Sequence, residues 1–490
     1  MAEREVKLAA APSFRMPVLD EVSEGVVADE KPALKVSATY LDTDDLRLTG
    51  WGVSLRHRTN DGWTVKLPHS GDGKLLVREE HVFPGDVRRP PAEAVDLVRP
   101  FARSAPLRPQ VRLRTVRRQT ALSDGAGQHI ADVVDDDVSV LDGRRIAARF
   151  RELEVEVWDE AHDELADMLV AHLRESGAGA PDPTPKVVRA LGPRAAQPAE
   201  LSVAKLRADA TIGDVVRNSI AASVERLIRH DPVVRLDTDV EGVHQARVAT
   251  RRLRSDLRTF RELLDPEWAK ALRDELGWLA DGLGAVRDGD VLLGRMRTRA
   301  ATLPAEVEKG AARVLASLEE DRARAYGELL EMLRGERYVA LLDRLVEAAN
   351  APSFQVDPDA AAKDALQPLV GRPLRAVAKQ VSSLDSEPDD DELHGVRIRV
   401  KRARYASEAV APVLGKRARA VAEAAADLQD VLGEHHDAVV AERWLREWAR
   451  KGRSVGGAFA AGELAGLERA AAARARRRWR KAWKALSRAS

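Results

Sequence analysis

Residues 243–258 read VHQARVATRRLRSDLR, with His244, Arg247, Arg251, Arg254 and Arg258 at steps of three and four. That spacing stacks side chains along one face of an α-helix. Beside it, Ala246, Thr250, Leu253, Leu257 and Phe260 form an apolar stripe that can enter a core. The pattern returns at residues 393–404, LHGVRIRVKRAR. There His394, Arg397, Lys401 and Arg404 repeat the order of the first copy, and Val396, Val400 and Ala403 repeat the apolar stripe. A solvated helix face needs no fixed order of residues, and it usually mixes signs to gain i,i+4 pairs. From Val243 to Ser255 there is no acid. A one-signed stripe present twice reads as a site for a polyanion.

The repeat extends beyond these helices. LGAVRD at 283–288 matches LGEHHD at 432–437, with His436 where the first copy has Arg287. From Leu201 onward Ala, Leu, Arg and Glu dominate with helical period, so residues 205–490 are expected to be an all-α duplicated bundle about a pseudo-twofold axis. Trp479, Trp483 and Leu486 share one stripe of the basic tail 474–488 and predict a packed last helix. The acidic stretch SEPDDDE, 386–392, reads as a solvated connection.

Across the 490 residues, 79 basic side chains balance 79 acidic ones, but not evenly. Residues 1–200 hold 28 Lys and Arg against 34 Asp and Glu, whereas 201–490 hold 51 against 45. The chain has no cysteine, which excludes disulfides and thiolate metal sites. The N-terminus MAEREVKLAA is charged where a signal peptide is apolar, and no apolar run of about 18 residues occurs. The expectation is a cytoplasmic protein with no membrane partner.

The first two hundred residues alternate with a period of two, the signature of strands. Glu3, Glu5 and Lys7 share one face of the first run. Arg56 and Arg58 do so in SLRHR, Arg78 and Glu80 in LLVREEHVF, and Arg112 and Arg114 in QVRLRTV, while Lys66 sits in WTVKLP. Glu152, Glu154 and Glu156 share a face of RELEVEVW, opposite Leu153, Val155 and Val157. Asn60-Asp61-Gly62 and Asp124-Gly125 mark turns. Closed into a barrel with the charged faces inward, these strands would line a lumen with both signs. Facing carboxylates call for a divalent cation, and oxygen-only ligands suit Mg²⁺ or Mn²⁺. Arg and Lys would then hold phosphate oxygens. No Walker-type glycine loop and no Cys or Ser nucleophile motif is present.

In this order the motifs resemble the CYTH domains, or triphosphate tunnel metalloenzymes. The resemblance spans about residues 2–195 and rests on Glu3-Arg4-Glu5-Val6-Lys7 as the ExExK signature, Tyr40-Leu41-Asp42-Thr43 as YxDT and Leu55-Arg56-His57-Arg58 as LRxR. It continues with Lys66, the Arg78/Glu80 pair, the late glutamate strand and Lys186, which follows Pro185 where the family usually has Ser. It implies an eight-stranded antiparallel tunnel, here assigned to residues 1–195, that hydrolyses or binds triphosphate compounds with Mg²⁺ or Mn²⁺. The implied catalytic residues are Glu3, Glu5, Lys7 and Lys66. Arg56, Arg58, Arg78, Arg112, Arg114 and Lys186 would bind phosphate. Glu5, Glu80, Asp136, Glu152, Glu154 and Glu156 would bind metal. Among Asp132, Asp135 and Asp136 the tunnel acid is left open, with alternation placing 132 and 136 together.

The Gly- and Pro-rich stretch 177–198 reads as the join between the halves, with a linker at 196–204. Residues 205–488 resemble the CHAD family, the conserved-histidine α-helical domains, which implies inorganic-polyphosphate binding by the two basic helices. Two further readings stand beside this one. A non-catalytic polyphosphate scaffold would only hold chain ends in the tunnel. A nucleic-acid binder would need stacking platforms, and 4% aromatic residues supply few. The plainer alternative for His244 and His394 is a buried, hydrogen-bonded structural role. Neither has a second His at i+4 to make a metal pair.

Overall fold

Alternation in the first part of the chain becomes a circuit of antiparallel strands. The computed structural model describes residues 3–68, 76–157, 162–207, 209–452 and 454–489; for 3, 4 and 76–78 it describes the backbone alone. Two units result, Met1–Glu200 and Leu201–Ser490. The strands of the first are β1 (Glu3–Ala10), β2 (Val27–Glu30), β3 (Leu34–Asp42), β4 (Ser54–Arg58), β5 (Gly62–Pro68), β6 (Leu76–Phe83), β7 (Arg108–Ser123), β8 (His129–Asp142) and β9 (Arg145–Val157). Helices α1 (Arg47–Gly50), α2 (Ala92–Ala102), α3 (Asp163–Glu175) and α4 (Lys186–Leu191) accompany them. Pairing runs β3–β4–β5–β6–β1–β9–β8–β7 and returns from β7 to β3, closing eight strands, while the short β2 adds to the far end of β7. The expected eight-stranded antiparallel tunnel is present.

The barrel is polar inside because its apolar faces are covered outside. Leu8, Leu122, Val133, Leu153, Val155 and Val157 pack under Leu165, Leu169 and Leu173 of α3. Each fully buried residue of this kind contributes about 1.5–3 kcal/mol. Burying that face turns Glu5, Lys7, Glu152, Glu154 and Glu156 into the lumen. The stretch 177–198 is more than a join. Its α4 puts Val187 against Tyr40, Val111, Leu113, Val138 and Val140, so an apolar plug fills one end of the barrel.

The second unit is all-helical, with α5 (Ile212–Leu236), α6 (Val240–Thr259), α7 (Pro266–Ala300), α8 (Glu308–Arg334), α9 (Glu336–Asn350), α10 (Ala362–Ser382), α11 (Asp390–Leu414), α12 (Lys416–Lys451) and α13 (Val455–Ala489). Neighbours in sequence pack together in α5–α8 and again in α10–α13, and like helices meet across the repeat: α5 with α10, α6 with α11 and α8 with α13. The apolar stripes of the two basic helices are buried, including Leu253, Leu257, Val396 and Val400, and Trp479 and Leu486 are buried as anticipated. The acidic stretch 386–392 is not a plain solvated connection. Asp389 and Glu392 form a capping box at the start of α11, which satisfies donors the helix leaves unpaired. Among the described residues no helix is long and apolar enough to cross a membrane.

Candidate functional site

Inside the barrel a cavity of about 200 Å³ is lined by side chains from nearly every strand and from the first turn of α4. Register explains the pairs that meet. Glu5 lies opposite Glu156, Lys7 opposite Glu154, Asp136 opposite Glu152, Lys66 opposite Glu80 and Tyr40 opposite Arg56. Facing residues of an antiparallel pair sit close enough to interact directly. The charges divide into two arcs. On β4 to β6, Arg56, Arg58 and Lys66 face Glu80, with Lys66 Nζ 2.6 Å and Arg56 Nη2 3.5 Å from its carboxylate. Arg56 also donates to the Tyr40 hydroxyl at 3.3 Å. On β1, β9, β8 and β7, five of the described carboxylates (Glu5, Asp136, Glu152, Glu154, Glu156) face three of the described cations (Lys7, Arg117, Lys186).

Lys186 Nζ lies 2.7 Å from Asp136, 2.8 Å from Glu154 and 3.0 Å from Glu152. Arg117 grips Asp136 through two hydrogen bonds of 3.0 and 2.7 Å and reaches Glu154 at 3.0 Å. Lys7 Nζ donates to Glu154 and is 3.4 Å from Glu5. Burial would raise the Glu154 carboxyl, but Lys186, Lys7 and Arg117 outweigh it and hold it well below the usual carboxylate range. Burial, reinforced by Glu154, pushes Glu152 up despite Lys186. Both Glu152 carboxylate oxygens are buried without a well-formed hydrogen bond. Burial would likewise raise Glu80, and Lys66 and Arg56 bring it down.

One oxygen each from Glu5, Glu154 and Glu156 lies within 4.8 Å of the other two, all three residues being buried. An all-oxygen cluster with a surplus of negative charge among the described residues fits a hard divalent cation such as Mg²⁺ or Mn²⁺. Asp136 is the acid that lines the tunnel cavity; Asp132 shares its face, opposite Glu156, but pairs with His129, and Asp135 pairs with Arg151 on the outer side. The side chains of Glu3 and Arg78 lie outside the described residues; their backbones pair between β1 and β6.

Arg112 and Arg114 correct the sequence reading. Both are exposed on the outer face of β7, and the inward residues are Val111, Leu113, Thr115 and Arg117. The inner face of β7 is apolar at one end because α4 plugs the barrel there. The charged face of QVRLRTV therefore points to solvent. Arg117, absent from the sequence candidates, is the β7 guanidinium of the tunnel.

In the second unit a cavity of about 320 Å³ opens between the basic helices. His244, Arg247 and Arg251 of α6 face it from one side, Arg397 and Lys401 of α11 from the other, with Arg287, Arg295 and His436 from α7 and α12. The LGxxRD-like repeat acquires a meaning here. Its acids pair with the basic helices, Arg247 with Asp288 at 3.2 Å and Arg397 with Asp437 at 4.0 Å. Gly284 leaves room for the Arg247 guanidinium directly against α7, whereas at Gly433 a side chain would meet Arg397 only at ordinary contact distance. These glycines were visible as part of a repeat, but the role of Gly284 was not.

The Nε atoms of Arg251 and Arg397 are buried without a hydrogen-bond partner. Burial and the charges of Arg397, Arg251 and Arg247 push the Lys401 amine down to about 7. A cleft that leaves guanidinium donors orphaned and depresses an amine is short of an anion.

Four predicted anion-binding residues do not line this cavity. His394 stacks on His436, ring centroids 4.3 Å apart. Arg404 turns back to Glu408 at 2.7 Å. Arg254 lies toward Gly277, and Arg258 sits among Arg402, Arg273, Arg254 and Arg261. For Arg254 and Arg258 the cause is geometric: residues at 3.5 spacing drift by about 20° per heptad on a 3.6-residue helix, so the stripe of α6 leaves the cleft after two turns.

Comparison with known proteins agrees with both halves. The CYTH domain family model matches residues 1–188 and the CHAD domain model residues 218–446. Two uncharacterized proteins of Mycobacterium tuberculosis strains are each 29% identical over 478 residues, covering 93% of this chain and 90% of the relative. Among solved structures, PptA from Streptomyces chartreusis is 24% identical with a TM-score of 0.47, covering 56% of this chain and 100% of that one. The CHAD domain from the plant Ricinus communis is 27% identical with a TM-score of 0.45, covering 56% of this chain and 96% of that one. The chain is a CYTH domain followed by a CHAD domain.

Proposed function

We propose that the tunnel hydrolyses a triphosphate compound or the end of an inorganic polyphosphate chain, with Mg²⁺ or Mn²⁺, and that the basic cleft holds polyphosphate. The observation that carries this reading is the division of the described tunnel side chains into an acidic arc with more carboxylates than cations and a basic arc with more cations than carboxylates, Arg58 being paired with Asp61 at its edge. A phosphate chain with one divalent cation satisfies both. Glu5, Glu154 and Glu156 would hold the cation, with Asp136, Glu152 and Glu80 close by. When bound, it supplies charge neutralisation and Lewis-acid polarisation at the phosphoryl oxygens.

The remaining work falls to the chain. Arg56 and Arg58 present guanidinium forks that match phosphate oxygens. Lys66, held on Glu80 in the free tunnel, can turn to the substrate. Lys7 and Arg117 keep Glu154 ionised and fixed in place. The plug of α4 fills one end of the barrel with apolar side chains, which suits a pocket for a chain end. A second reading, a scaffold that holds phosphate without cleaving it, draws on Lys7 and Lys186, which already lie among the carboxylates. Phosphate release from inorganic triphosphate, ATP and long polyphosphate, with and without each cation, separates the two. Release from none of them under any condition leaves only the scaffold.

A further inference from the structure

We infer that the histidine pair His394–His436 is a proton-accepting half of the cleft, so that a polyanion binds together with one proton. The inference rests on the reading of the cleft as a polyanion site and adds how that site is regulated. The two copies of the repeat differ at one telling position. In the first, His244 is accompanied by Arg287, a permanent cation. In the second, the equivalent residue is His436, and its ring lies on His394 with an interplanar angle of 30°.

The Nδ1 atoms of the two rings are 3.1 Å apart. At that distance one Nδ1–H must donate and the other Nδ1 must accept, so the neutral pair shares a single hydrogen bond. The donating ring then carries its lone pair on Nε2. One proton can add there and make the pair cationic without loss of the shared bond. A second proton would set two N–H groups against each other. The capacity of the pair is therefore one.

What faces the pair explains why it waits for a ligand. From α11 come Arg397, Lys401 and the acid Asp391; from α12 come His435 and Asp437; Arg247 and Arg251 of α6 line the same cavity. His435 is itself engaged with Asp390 at 3.2 Å and with Arg476. Burial lowers both rings, and the cations, which outnumber the acids, add to it, bringing His394 below its ordinary value and His436 to about 4. An anion in the cleft cancels the repulsion, and the pair gains a proton.

The sign follows from linkage. Above the pKa of the free pair and below that of the bound pair, binding takes up a proton, and affinity falls about tenfold per pH unit as pH rises. Lys401, with its amine near 7, is mostly an ammonium at pH 6 and mostly neutral at pH 8, so at pH 6 it adds little to the uptake by the pair.

The test is calorimetric titration of the full chain with inorganic polyphosphate, without divalent cations, at pH 6 and pH 8. Two buffers of unlike ionisation enthalpy give the number of protons taken up. At pH 6 the wild type should take up close to one proton more than the double variant His394→Gln with His436→Arg, which keeps neither ring of the pair, since His244 contributes equally to both. The variant should bind with a pH slope about one log unit shallower. If that variant does not fold, His394→Gln with His436→Gln carries the same comparison and should also bind more weakly at pH 6. Equal uptake by wild type and variant at pH 6 overturns the inference while the polyanion reading stands. No binding of polyphosphate by the wild type at either pH overturns both.

Discussion

Glu154→Gln removes one charge from the middle of the tunnel with almost no change of shape. Glu154 is 2% exposed and bonded to Lys7, to Lys186 at 2.8 Å and to Arg117 at 3.0 Å. Lys186 keeps Asp136 at 2.7 Å, and Arg117 keeps both its bonds to the same acid, so no cation is left without a partner. The stability cost is then that of weakening hydrogen bonds to a charged group, about 1.5–3 kcal/mol, rather than the 3–5 of a broken buried pair. The cost to turnover should be larger, on the order of 10²–10³, because charge placed against the reacting phosphate acts in a dry site.

Acid adds a second signature. The Glu154 carboxyl titrates below its unfolded value, so the stability it contributes is present at neutral pH and is lost as pH falls through the folded value. The variant should therefore lose less stability than the wild type between neutral pH and strong acid. Phosphate release at saturating Mn²⁺ and urea unfolding from pH 7 downward measure the two effects. A folded variant that turns over triphosphate within threefold of the wild type would refute the argument.

Arg117→Ala should reduce turnover by at least about 10²-fold in the same assay, whereas Arg112→Ala with Arg114→Ala should leave it near wild type, because those two guanidiniums face solvent; the opposite ranking would place the wrong face of β7 in the lumen. Gly284→Ala should weaken polyphosphate binding to the full chain several-fold without lowering Tm appreciably, since the new methyl displaces the Arg247 guanidinium and not backbone; unchanged affinity would deny the glycine its positioning role. Arg247→Ala with Arg397→Ala should flatten the log–log salt dependence of polyphosphate binding by roughly one to two units, and duplex DNA competing as well as polyphosphate would favour nucleic acid instead.

Much of this chain was readable before any coordinates. Period-two charge in EREVK and ELEVEV established which acids share a face, and the repeated His–Arg–basic–Arg order established a duplicated helical unit. Spacing settles such matters because it is local: a strand turns over every residue and a helix every 3.6. Which face becomes the inside is not local. Glu154 faces the lumen because α3 covers Val155 from outside, and Arg112 faces solvent because α4, arriving more than seventy residues later, fills the inner end of β7 with Val187. The same holds in the helical unit. The stripe from His244 to Arg258 could be read from sequence, but only the approach of α11 and α12 decided that Arg251 and Lys401 meet across a cleft while Arg258 does not. Periodicity groups side chains on one element; burial of the opposite face, contributed by distant segments, chooses where that group points.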